Sequence, residues 1–201
     1  MIAIVDYDAG NMLSVVKALK HLGEDPVITR DAATLRSADK VILPGVGAFG
    51  DAMDKLGGYG LTPVIKDIIE DGRPFFGICL GQQLLYEKSE ETPGVPGIGA
   101  LAGKIRKIPV GEYKKIPHMG WNSLDFPNKG RLFEGIEEGA YVYFVHSYYL
   151  EADDRSSVVA TCEYNVTVDA AIEHGNVFAT QFHPEKSGEV GLSILRNFIR
   201  L

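Results

Sequence analysis

The stretch "PFFGICLGQQLLYE", residues 74–87, passes from an apolar strand into a helix, and at the junction Gly77-Ile78-Cys79-Leu80-Gly81 spells G-x-C-x-G. That is the nucleophile-elbow pattern with cysteine where serine is more familiar. Two glycines are needed because the turn is crowded: it forces the nucleophile into a strained conformation, and flanking side chains would collide with it. The N-terminus of the following helix offers partial positive charge, which favours thiolate over thiol. The N–H of Leu80 is then free to bind an oxyanion. The plain alternative is a small buried residue closing a core strand. Cys162, in "VVATCEY", has no elbow around it and reads as packing.

Outward from the elbow, the first half alternates strand and helix. Ile2 to Tyr7 reads as a buried strand, and Met12, Val15, Val16, Leu19 and Leu22 recur at helical spacing before Gly23. "DPVITR" and "KVILP" are further strands, and a helix through roughly Leu61 to Glu70 leads into "PFFGIC". Such alternation implies right-handed crossovers and a mostly parallel sheet with helices on both faces. The second half differs. "SEETPGVPGIGALAGKI" reads as loop, and "AYVYFVHSYYLE", "SSVVATCEY" and "NVFATQFHP" as strands, either antiparallel additions to the sheet or a small second sheet. A last amphipathic helix uses Val190, Ile194, Leu195, Phe198 and Ile199. With no linker or repeat, residues 1–201 read as a single α/β domain.

Composition limits the function. A net charge of −7 argues against a nucleic-acid binder that works through a broad basic surface. No apolar run approaches a membrane span, and a strand beginning at Met1 leaves no room for a leader. Two cysteines do not make a disulfide framework, so the expected compartment is the reducing cytoplasm.

A cysteine nucleophile needs a base that can also return the proton to the leaving group. His21 sits at a helix end and His174 in the "EHGN" turn, both as surface residues. His183, in "ATQFHPEKS", ends an apolar strand, and Pro184 biases it towards extended backbone. In extended geometry positions i and i+2 share a face, so Glu185 can approach and orient the imidazole.

Together these residues resemble the class I (triad) glutamine amidotransferases, whose marks are a "PG" oxyanion loop, a G-x-C-x-G elbow and a terminal His-Pro-Glu. Cys79, His183 and Glu185 match the family's triad. "DYDAGNMLSVVKAL", "LPGVGAFGDAM", "PHMGWN", "YFVHSYY" and "QFHPEKS" are similar to blocks of one branch, the glutaminase subunits of imidazole glycerol phosphate synthases in histidine biosynthesis. The resemblance runs end to end, with "PHMGWN" the sharpest discriminator. Asp8 departs from it, standing where the family usually has glycine in "DYGxGN", which bears on local backbone shape rather than on chemistry.

The resemblance also decides "PGVGAFG", residues 44–50, whose glycines satisfy G-x-G-x-x-G. A dinucleotide site wants these glycines after the first strand of a βαβ unit and an acidic residue ending the next strand. Here the next strand ends in Cys79, so the loop reads as the oxyanion strand, with Val46 or Gly47 complementing Leu80. The family pattern places the amino-acid end of glutamine near Gly47, Gln83, Ser147 and Tyr148. It implies a heterodimer with a (β/α)₈ synthase subunit that receives ammonia, with His118, Met119, Gly120, Trp121, Asn122, Tyr143 and Lys186 as candidate interface residues. His146 reads as a strand residue near the site without a catalytic task. No metal, cofactor or nucleic acid is expected. The rival readings are a related amidotransferase serving another synthase, a cysteine hydrolase or peptidase, and an idle regulatory subunit.

Overall fold

The computed structural model describes residues 1–111 and 115–201. In chain order the elements are β1 (Ile2–Val5), α1 (Met12–His21), β2 (Val27–Thr29), α2 (Ala32–Ser37), β3 (Lys40–Gly45), α3 (Phe49–Gly58), α4 (Leu61–Glu70), β4 (Phe75–Cys79) and α5 (Leu80–Leu84). Then follow β5 (Lys88–Ser89), β6 (Gly103–Lys107), β7 (His118–Ser123), β8 (Tyr141–His146), β9 (Tyr148–Ala152), β10 (Val158–Glu163), β11 (Thr167–His174), β12 (Val177–Thr180) and α6 (Gly188–Arg200).

Seven strands form the central sheet in the order β10-β11-β12-β4-β3-β1-β2. From β2 to β12 all neighbours are parallel, and β11 and β10 extend the sheet antiparallel. The alternation of side chains along β1 shows how this sheet is held: Ala3 and Val5 face one apolar layer, Ile2 and Ile4 the other. The first layer is completed by Leu35 of α2, Leu56 of α3 and Ile65 of α4, the second by Leu19 of α1 and Phe198 of α6. A strand buried on both faces must be apolar at nearly every position, and "VIL" and "FFGIC" are.

The second half supplies both arrangements that its sequence leaves open. β10 and β11 join the main sheet, while β5-β6-β9 and the hairpin β7–β8 form two small sheets of their own. "AYVYFVHSYYLE" is not one strand. It bends at Ser147, and β8 pairs with β7 while β9 pairs with β6. The 89–105 segment, read as loop, holds the end of β5 and the start of β6. α2 escapes periodicity because it is six residues long; Asp31 caps it by accepting from the Thr34 N–H at 2.8 Å. Among the described residues no helix is long and apolar enough to cross a membrane.

Candidate active site

β3 and β4 are adjacent and parallel, so the loop expected to hold the oxyanion and the elbow leave the sheet at the same end. Cys79 sits at φ 55°, ψ −107°, a strained conformation for a non-glycine residue. The glycines around it are required by close backbone approach. A Cβ on Gly81 would overlap the carbonyl oxygen of Leu43, and one on Gly77 would stand 2.8 Å from the carbonyl oxygen of Gly81. Gly45 is bare for a related reason: a Cβ there would strike the Tyr7 hydroxyl. α5 is only five residues, so the field at the sulfur is that of a single turn, and Leu80 is its first residue, with an N–H outside the intrahelical ladder.

His183 lies in extended backbone just before a 3₁₀ turn, Pro184–Lys186. The expected pairing with Glu185 is present, with Nδ1 2.7 Å from Oε1, but the route differs: the tight turn, rather than a shared strand face, folds the carboxylate back to the Nδ1 edge of the ring. Both side chains are buried. Asn11, in the left-handed conformation at the start of α1, donates its Nδ2–H to the same carboxylate oxygen at 2.6 Å. Burial by itself lowers the proton affinity of His183. The neighbouring Cys79 sulfur and the hydrogen-bonded Glu185 carboxylate outweigh it, and the pKa is pushed up to about 10. The backbone of His183 is held as well. Its N–H donates to the Tyr143 carbonyl at 3.0 Å, and its own carbonyl accepts from Ser187 Oγ at 2.6 Å.

Beside Cys79 is a cavity of about 430 Å³, in the range of small-molecule sites. It brings together Val46, Gly47, Leu80, Gln83, Ser147 and Tyr148, the residues expected for the oxyanion hole and for glutamine, with Cys79 in the wall. Gln83 is not a solvent-facing helix residue: its amide donates to the Tyr148 carbonyl at 3.0 Å and to Gln181 Oε1 at 2.9 Å.

The sequence alone does not mark several residues that the fold brings to this place. Asn11 could be seen only as a helix start. Glu91, lodged in "SEETPG", lines the cavity and accepts from the Phe49 N–H at 2.8 Å. Gln181 directs its amide nitrogen at Cys79 Sγ, 3.7 Å away. The Tyr7 hydroxyl donates to the Pro44 carbonyl at 2.8 Å, and its proton is held tightly by burial and by the negative charge of Cys79. Cys162 is fully buried in the core, and His21 and His174 are exposed.

The candidate interface residues divide. Met119 and Trp121 are 62% and 55% exposed on one face of β7, with Tyr143 ring-to-ring against Trp121 at 6.1 Å, and Lys186 is exposed. Gly120 and Asn122 are half-buried, and Gly120 takes φ 127°. His118 is buried on the inner face, so it supports that surface from behind rather than forming part of it. Asp8 adopts φ 59°, the left-handed region that explains a glycine there, and aspartate is among the residues that accept it. Its carboxylate pairs with Arg30 and the Tyr59 hydroxyl.

Residues 3–201 match the family model described as glutamine amidotransferase class-I. The chain is 50% identical over 201 residues to the imidazole glycerol phosphate synthase subunit HisH of Methanothermobacter thermautotrophicus, covering 100% of this chain and 98% of that one. It is 52% identical over 202 residues to the subunit of the same name from Thermosynechococcus vestitus, covering 100% and 96%. Among solved structures it is similar to PurLQS from Thermotoga maritima, with a TM-score of 0.76, 23% identity and 99% and 97% of the two chains covered. A crystal structure described as glutamine amidotransferase gives a TM-score of 0.78 at 20% identity, covering 100% and 98%. These last two speak to the fold.

Proposed function

The chain belongs to the class I glutamine amidotransferase family, and from that premise we propose that it is the glutaminase subunit of an imidazole glycerol phosphate synthase. It hydrolyses L-glutamine to glutamate and ammonia for histidine biosynthesis. The observation that carries this is a strained Cys79 in the wall of a small-molecule cavity and a buried His183–Glu185 pair, set just beyond the ends of the adjacent parallel strands β4 and β12, in a chain half identical to subunits of that name.

In this reading the Cys79 sulfur attacks the side-chain amide carbon of glutamine, and His183 holds the proton that leaves the thiol. N–H groups near Val46–Gly47 and at Leu80 receive the charge that develops on the amide oxygen. The C–N bond breaks as His183 passes its proton to the leaving nitrogen, giving ammonia and a glutamyl thioester. Water then cleaves the thioester with His183 as base. Glu185, fixed by Asn11, keeps the ring oriented and stabilises its cation. At the amino-acid end, the Glu91 carboxylate complements the substrate ammonium, while Gln83, Ser147 and Tyr148 shape the wall.

Ammonia in neutral water is mostly protonated and not nucleophilic, so it must reach its acceptor before it meets solvent. We therefore propose a heterodimer with a (β/α)₈ synthase subunit, docked on the Met119–Trp121 face and Lys186. The location proposed is the cytoplasm, where a reduced Cys79 persists. The test is glutamate release from glutamine by the purified chain, alone and with a cognate synthase subunit and its nucleotide ligand, with Cys79→Ala as control. Activation that vanishes in the variant supports the proposal. Activity indifferent to the partner overturns the pathway, and no activity in any condition overturns the enzyme.

A further inference from the structure

A buried run of polar groups outside the triad connects the β7–β8 hairpin to the nucleophile. His118 and His146 face each other across the hairpin as direct register partners, and both are buried. His118 Nδ1 is 3.0 Å from His146 Nε2, and His146 Nδ1 is 2.9 Å from the Tyr148 carbonyl oxygen. A carbonyl can only accept, so His146 carries a proton on Nδ1. Burial, with the charges of His118 and His183, outweighs the Tyr148 carbonyl and pulls the pKa of His146 down to about 3, which leaves the ring neutral and Nε2 bare. The proton between the rings therefore belongs to His118 Nδ1.

The run continues from Tyr148. Its carbonyl also accepts from Gln83, which donates to Gln181, which donates to Cys79 Sγ. At the other end His118 is stacked between Phe144 and Tyr164, with ring centroids 4.5 and 3.8 Å away. Such a clamp holds the imidazole plane, and with it the direction of the Nδ1–H.

We propose that His118 and His146 are a proton-ordered pair of positioning residues that holds the Ser147–Tyr148 segment against the amino-acid end of glutamine and, through Gln83 and Gln181, steadies the sulfur of Cys79. The proposal rests on the glutaminase reading of the cavity. Neither ring takes part in bond making. Their task is to fix a backbone carbonyl that two donors share, on the wall that the substrate touches.

The experiment has two arms on the full chain. In the first, ¹⁵N chemical shifts of the histidine rings at pH 7 report which nitrogen carries the proton. Neutral His146 protonated on Nδ1, with His118 also protonated on Nδ1, supports the pair; a proton on His146 Nε2 or a cationic His146 overturns it. This arm does not depend on activity, so it stands even if the chain proves not to hydrolyse glutamine. In the second, KM and kcat for glutamine are measured with the synthase partner present. His146→Asn keeps an amide nitrogen in the place of Nδ1, His146→Gln moves it away, and His118→Phe keeps the ring stack but removes the donor. The expected result is a KM raised about tenfold or more for His146→Gln, which loses the bond to the Tyr148 carbonyl, and by about three- to fivefold for His146→Asn and His118→Phe, which lose only the bond between the rings, with smaller changes in kcat. Equal behaviour of the Asn and Gln variants, or a His118→Phe variant with unaltered KM, means packing alone and overturns the proposal.

Discussion

Asn11 holds the acid of the proposed triad from the far end of the chain, 174 residues from Glu185. Its left-handed backbone is one that asparagine and aspartate accept, so Asn11→Asp changes the chemistry without changing the turn. It replaces a donor by a second carboxylate facing a buried first one, and removes the group that keeps Glu185 aimed at the imidazole. We expect a fall in kcat of about tenfold or more together with a melting temperature lowered by several degrees, because a lost charge-assisted hydrogen bond is worth about 1.5–3 kcal/mol. Steady-state kinetics beside a thermal melt checks it.

At the scale of elements, the site depends on how closely β3, β4 and α5 approach one another. Gly81→Ala pushes a Cβ into the Leu43 carbonyl, a backbone atom that cannot rotate away. The strand and helix must part, and we expect a loss of about 3 kcal/mol or more in unfolding free energy by urea titration, together with loss of activity. The junction between β8 and the turn that follows His183 is a second such place. Ser187 Oγ accepts from the Tyr143 N–H at 2.9 Å and donates to the His183 carbonyl at 2.6 Å, in a buried position. Ser187→Ala leaves the buried Tyr143 N–H without a partner and the His183 carbonyl with the Lys186 N–H alone, and the same titration should show a loss of about 1–3 kcal/mol.

For the whole molecule, the proton on His183 links stability to pH. The folded state holds it up to about pH 10 against an ordinary value of 6.5, so the native state binds the proton more tightly than the unfolded chain does. This contribution is complete below about pH 6.5 and is lost as pH rises through about 10. Urea titrations at pH 6, 8 and 10 should show wild type losing its advantage over His183→Gln across that window; a constant difference would contradict it. The exposed aromatic face of β7 belongs to the same scale, since the role proposed for it lies in contact with another molecule. Trp121→Ala should weaken binding of the synthase subunit by about thirtyfold or more in calorimetric titration, the cost typical of a central aromatic anchor, and leave the melting temperature of the free chain nearly unchanged.

The chain determines by itself what is local. Apolar strands interleaved with amphipathic helices specify the parallel sheet, and G-x-C-x-G and His-Pro-Glu mark the proposed nucleophile and base because their spacing builds those turns from neighbouring residues. Even there, the sequence points to a shared strand face for His183 and Glu185, and a 3₁₀ turn does the work instead. What only the tertiary structure decides are the partners brought from afar: Asn11 to Glu185, Gln181 to Cys79, Glu91 to the cavity wall, and His118 to His146. Asparagine, glutamine and glutamate occur on any surface, and nothing in their immediate neighbours distinguishes a solvated side chain from a buried donor. The difference arises when the sheet sets the end of β12 beside β4 and the β7–β8 hairpin over the triad, where burial removes water and makes each remaining hydrogen bond count.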